Sequence, residues 1–245
     1  MADQKTAPSP LIQIQELSCY YASRNFGFFG KKEIKPVLHK VNMDIAAGEI
    51  FGLSGESGCG KTTLARCILG LIDYDGEITI NGEKQQAGRY SVRRMRLQAG
   101  NVQMIFQNPG ASLNPAKKIG WLLEEPLAIQ HRGTKPERAF LVDEMLVRVG
   151  LDPSFKKRRI HELSGGQKQR VCIGRTLMLN PKIIIADEAI SSLDISAGAQ
   201  ILNLFQELSE TLGLSILFIS HDINVIEYLC GRIAVMQEGK IRAYL

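Results

Sequence analysis

The sequence predicts an α/β fold: a parallel sheet flanked by helices, an antiparallel β layer on the N-terminal side, and a largely helical block inserted between two strands. Three observations carry this expectation. The glycine-rich stretch GESGCGKTT, residues 55–63, stands between an apolar strand candidate (Ile50-Phe51-Gly52-Leu53) and a helix candidate with Leu64, Ala65, Ile68 and Leu69 at helical spacing. Further apolar runs at 183–186, 215–219 and 232–236 alternate with helix-period segments, as strands of a parallel sheet do. Between about 114 and 180 the period is helical.

In chain order, Leu11 to Gln15 alternates in polarity, as does the later Val41, Met43, Ile45 set, so both are strands with one buried face. Residues 77–80 run into Asn81-Gly82, a pair suited to the positive φ angles of a two-residue hairpin. These segments make the antiparallel layer. Residues 102–106 form another strand candidate leading into Gln107. Trp121, Leu122 and Leu123, then Phe140, Leu141, Met145, Leu146 and Val149, give apolar helix faces. Leu163-Ser164-Gly165-Gly166-Gln167 opens a helix through Val171, Ile173 and Leu177, with Ser164 and Gln167 at capping-box spacing. A last long helix carries Ile201, Leu204, Phe205, Leu208 and Leu212.

Size and composition bound the function. A chain of 245 residues holds one large domain, expected over 11–245 with the helical block inserted and residues 1–10 a flexible tail. Hydrophobic residues make up 44%, yet no apolar run approaches the roughly 18 needed to cross a bilayer. The start, MADQKTAPSP, lacks the basic and apolar regions of a signal peptide, so a cytoplasmic location is expected. The net charge of +5 is dispersed, and no nucleic-acid partner is expected. Its densest cluster, Lys156 to Arg159, is read as a solvated loop. The five cysteines show no C-x-x-C pairing, which argues against a zinc site or a disulfide framework.

The chemistry lies in the motifs. Residues 55–63 fit G-x-x-x-x-G-K-[ST], so Gly55, Glu56, Ser57, Gly58, Cys59, Gly60, Lys61, Thr62 and Thr63 are candidates to cradle a nucleoside triphosphate. An accidental glycine-rich turn is the plain alternative. Lys61 would reach the β and γ phosphates, and the Thr62 hydroxyl would ligate Mg2+. Cys59 lies near a helix N-terminus, where thiolate character rises. Asp187 and Glu188 end an apolar strand, the place where a ligand binds in such sheets. There Asp187 would hold Mg2+ through its water shell and Glu188 would take the proton of an attacking water, although two acids also suit a helix start. Gly165 and Gly166 cost a first helical turn roughly 1 kcal/mol each against alanine, and they leave N–H groups open to an anion. That is a second phosphate-reading helix end in a chain that already has one.

Six motifs in order resemble the ATP-binding cassette (ABC) transporter ATPases, a P-loop NTPase fold: the phosphate loop at 55–63, Gln107 of the Q-loop, the signature Leu163 to Gln167, Asp187-Glu188, the D-loop Ser192-Leu193-Asp194, and the switch His221. The resemblance covers essentially the whole chain. It implies two cassettes paired head to tail, Ser164, Gly165, Gly166 and Gln167 of one covering the γ-phosphate held by the other. It further implies ATP and Mg2+ as ligands, with Tyr21 stacking on adenine (Tyr20 the fallback, core packing the alternative). By the same resemblance Gln107 senses Mg2+ and couples to a membrane partner, His221 holds the γ-phosphate, and Asp194 links the two sites. IFQNPGASLNP, Glu125-Pro126-Leu127, HELSGGQKQRV, NPKIIIADE and ISAGAQILNLFQEL are similar to the peptide/nickel importer branch, and the loop ASRNFGFFGKKEIKP to its second ATPase subunit.

The implied role is the ATP-hydrolysing subunit of an importer on the cytoplasmic face of the membrane. Its implied partners are integral membrane permease subunits, an identical or related second ATPase and, through the permease, an extracytoplasmic solute-binding protein. A soluble ATPase of the same class, in ribosome, DNA or iron–sulfur assembly work, is the alternative. Three positions depart from the usual pattern: Ala189 and Ile160 stand where proline is usual, and Ala186 where leucine is. No iron–sulfur cluster is expected, since the chain ends at Leu245 without a cysteine-bearing extension.

Overall fold

The computed structural model describes residues 10–24, 32–85, 100–107 and 109–245. The aromatic loop at 25–30 and the tail at 1–9 lie outside the described residues. Strands β1 (Ile12–Arg24) and β2 (Lys32–Ile45) pair antiparallel, Ile12 opposite Ile45 and Cys19 opposite Leu38. β3 (Ile50–Ser54) then leads through the glycine-rich loop into α1 (Lys61–Ile68). β4 (Asp75–Ile80) and β5 (Glu83–Gln85) form the predicted hairpin, with Asn81 at φ 52° and Gly82 at φ 78° as its type of turn requires. β4 also pairs with β1, which gives a four-stranded antiparallel sheet in the order β2-β1-β4-β5.

The second sheet carries the site. Its other strands are β6 (Val102–Ile105), β7 (Ile183–Asp187), β8 (Ser215–Ile219), β9 (Arg232–Gln237) and β10 (Lys240–Tyr244), in the order β10-β9-β3-β8-β7-β6. All pair parallel except β10, which folds back antiparallel on β9. Among the described residues, four α-helices separate β6 from β7: α2 (Pro109–Ser112), α3 (Ile119–Ile129), α4 (Lys135–Arg148) and α5 (Gly165–Leu177). α6 (Ile195–Leu212) precedes β8, and α7 (Ile223–Leu229) precedes β9.

Both faces of this sheet are covered, which is why its strands are continuous apolar runs rather than alternating ones. On β7, Ile183 and Ile185 enter one apolar cluster with β1, β2, β4 and α1, while Ile184 and Ala186 enter another with α3 to α6. Each fully buried Leu, Ile or Phe in these clusters contributes about 1.5–3 kcal/mol of transfer free energy. The parallel arrangement brings the C-terminal ends of β3, β6 and β7 to one edge. The phosphate loop, Gln107 and the Asp187-Glu188 pair therefore meet there.

Candidate functional site

That edge opens into a cavity of about 760 Å³ lined by the phosphate loop together with Gln107, Asp187, Glu188 and His221. α1 begins at Gly60, a left-handed residue at φ 115° that offers no capping side chain, and no acid follows in the first turn. Its first N–H groups are thus left for an anion, and the helix dipole favours one. Lys61 is only 7% exposed. Its ammonium donates to the carbonyls of Gly55 at 2.6 Å and Glu56 at 2.8 Å, so the loop bends around its own cation.

Thr62 and Asp187 meet across the cavity floor, the Thr62 hydroxyl donating to Asp187 Oδ2 at 2.9 Å. Burial pushes the Asp187 carboxyl above the usual aspartate value of 3.8, and the bond from Thr62 pulls against that shift. Two hard oxygens and the Gln107 amide are a donor set suited to Mg2+, which keeps waters and takes phosphate oxygens rather than an all-protein cage.

Glu188 stands at φ 51°, an uncommon backbone for a non-glycine residue, fixed by its N–H to the Ile219 carbonyl at 2.9 Å and by the Ser191 hydroxyl on its own carbonyl at 2.9 Å. Its carboxylate oxygens lie 2.8 and 3.0 Å from His221 Nδ1. The His221 side chain is 65% exposed and Glu188's only 15%, and both line the cavity. A base held this way is positioned to take a proton from water.

The predicted signature forms as a capped helix start away from this cavity. Ser164 Oγ accepts from the Gln167 N–H at 3.3 Å, and Gln167 Oε1 accepts from the Ser164 N–H at 3.1 Å. None of Ser164, Gly165, Gly166 and Gln167 lines the cavity. Asp194 caps α6, its carboxylate accepting from the Ala197 N–H at 2.8 Å. The signature packs on that same helix start, since a Cβ added to Gly166 would lie 3.2 Å from Ala197 Cβ. Tyr20 and Tyr21 are exposed on β1 and do not line the cavity.

The Cys59 side chain is buried in an apolar cluster, with Sγ 3.9 Å from the Lys61 ammonium, so that only its backbone belongs to the loop's cradle. Gly239, outside every sequence motif, backs the phosphate loop together with Met236 of the 232–236 strand, and the Glu238-Gly239 pair is its turn signal.

A phosphate loop, a carboxylate pair at the end of β7, one strand beyond β8 in the same sheet, and a histidine on the carboxylate define a P-loop ATPase of the ABC cassette class. The ABC transporter family model matches residues 38–191, well over half of the chain, and the chain belongs to that family. It is 41% identical over 248 residues to the oligopeptide transport ATP-binding protein AppF of Bacillus subtilis, a match covering 98% of this chain and 72% of AppF. It is 42% identical over 245 residues to the glutathione import ATP-binding protein GsiA of Pectobacterium atrosepticum, covering 97% of this chain and 38% of GsiA. Among solved structures, the dimeric post-hydrolysis state of the ATP-binding cassette MJ0796, bound to ADP and Pi, superposes with a TM-score of 0.80 at 29% identity over 96% of this chain and 97% of that one.

Proposed function

We propose that this chain is the ATP-hydrolysing subunit of an ABC importer of the peptide class. The carrying observation is the division of parts: Lys61, Thr62, Asp187, Glu188 and His221 converge on one cavity, while the capped N-terminus of α5 lies outside it. A cassette built so supplies the phosphate cradle of one composite site and the signature of another. The relatives named for oligopeptide and glutathione import support the transport reading over soluble assembly work.

In this reading ATP lies on the phosphate loop with its triphosphate over the N-terminus of α1. Thr62, Asp187 and Gln107 would hold Mg2+, which supplies charge neutralisation at the phosphates. Lys61 leaves the loop carbonyls for the β and γ phosphates. Water attacks the γ-phosphorus, its proton passes to Glu188, and the bond to the β–γ bridging oxygen breaks to give ADP and phosphate. His221 keeps the Glu188 carboxylate aimed and donates from its other ring nitrogen to the γ-phosphate. Ser164 to Gln167 of a partner cassette, identical or related, close over the same phosphate, and Asp194 links the two sites. Tyr21 stacks on the adenine.

Closure and reopening of the pair drive an integral membrane permease, docked beside the helical block of about 114–180 near Gln107, with an extracytoplasmic solute-binding protein delivering cargo. Among the described residues no helix is long and apolar enough to cross a membrane, so the chain would sit peripherally on the permease at the cytoplasmic face. The test is purification of the tagged chain from membranes. It should bring down a multi-span permease and, in vesicles, support ATP-dependent peptide uptake; recovery with a soluble assembly machine and no permease would overturn the reading.

A further inference from the structure

Behind the cavity, the turn joining β9 to β10 touches the phosphate loop through one residue. The Gly239 N–H donates to the Cys59 carbonyl at 2.9 Å, and the Gly239 carbonyl accepts from the His39 N–H at 2.9 Å. This glycine thus ties β2 to the loop. It sits at φ +72°, and a Cβ there would come within 2.2 Å of the Val37 oxygen and 2.9 Å of the His39 ring. The loop leans on the same hairpin at two more points. A Cβ on Gly55 would lie 2.2 Å from the Met236 oxygen, and one on Gly60 would lie 3.4 Å from the Met236 sulfur.

The consequence follows from the planarity of the peptide unit. In a trans peptide the C=O and the next N–H point in opposite directions. With the Cys59 carbonyl held outward by Gly239, the Gly60 N–H of the same peptide faces away from the hairpin, and Gly60 is a residue that lines the cavity. Freed from Gly239, that peptide could rotate and turn a carbonyl toward the phosphates, repelling what it now attracts. We propose that the β9–β10 turn is a positioning element for phosphate binding: the Gly239 amide fixes the Cys59–Gly60 peptide in its anion-binding orientation. This inference rests on the ATP-binding reading above. Residue 239 falls outside the phosphate-loop motif, and its side chain contributes nothing; only its backbone does the positioning.

The test compares Gly239→Ala with Gly82→Ala. Gly82 also has a positive φ, +78°, in a hairpin turn, but nothing lies within 4 Å of a Cβ there, so it reports backbone strain without the collision. Binding of MgATP and of inorganic tripolyphosphate should weaken about tenfold or more in Gly239→Ala and stay within about twofold of wild type in Gly82→Ala. Equal loss in both variants, or none in Gly239→Ala, overturns the inference. Failure of the wild-type chain to bind MgATP would instead sink the ATP-binding reading.

Should Gly239→Ala not fold, hydrogen exchange on the wild-type chain decides. The Gly239 amide should exchange more slowly when MgADP is added, by about tenfold beyond any slowing of the β4–β5 hairpin amides. A Gly239 rate that follows those amides contradicts the proposal.

Discussion

Glu188 and Asp187 are adjacent carboxylates set to different tasks by their surroundings. Glu188 faces His221 at the cavity, so Glu188→Gln should lower turnover on the order of 100-fold or more while MgATP binding persists, as single-turnover and binding assays would report. Asp187 is buried and bonded to Thr62, with its carboxyl pushed above the ordinary value. A raised value means that the native chain holds this proton more tightly than the unfolded chain does. The stabilising contribution is full at pH below the unfolded value and is lost as pH rises through the folded one, so at pH 7 the charged, buried group weighs against the fold. Without ligands, Asp187→Asn should therefore melt higher than wild type at pH 7, with the gap closing toward pH 4. Its Mg-dependent ATP affinity should fall about 10- to 100-fold. Scanning calorimetry and titration with and without Mg2+ check the two halves. The place of these two residues at the cavity was legible from their position after an apolar strand. The inward turn of Cys59 was not, because sequence position fixes a loop residue's neighbours only once β2 and the β9–β10 hairpin are packed behind it.

At the scale of elements, the start of α5 was legible in full. Ser164 and Gln167 satisfy each other's backbone N–H groups because their spacing permits it, whatever packs nearby. The same local logic placed the Asn81-Gly82 hairpin and the strands of the central sheet. β10 escaped notice because Lys240, Arg242, Ala243 and Tyr244 are exposed, and a solvated edge strand carries little polarity pattern. Its importance arises from the long-range contact of the β9–β10 turn with the phosphate loop, which no local period encodes. The proposed role of the signature in trans yields a sharper test. In mixed dimers, Ser164→Arg in one chain should cut hydrolysis about tenfold or more at the site whose Lys61 belongs to the other chain. Ser164→Ala, which removes the cap bond to the Gln167 N–H, should cost about 1 kcal/mol of stability. Loss confined to the mutated chain's own phosphate loop would contradict the trans arrangement.

For the whole molecule, the function proposed above makes the cavity at the sheet edge half of a catalytic chamber and the N-terminus of α5 the lid of another. Such a molecule should work only in pairs, with ATP between the cassettes and hydrolysis loosening them. Affinity for a second cassette then sets activity as directly as any side chain does. The most direct measurement is nucleotide turnover per chain over a dilution series, with the assembly state read in parallel by analytical ultracentrifugation. The predicted result is turnover that follows the fraction of paired cassettes and vanishes with it. Full-speed hydrolysis by a demonstrably monomeric chain, unchanged on dilution, would contradict it.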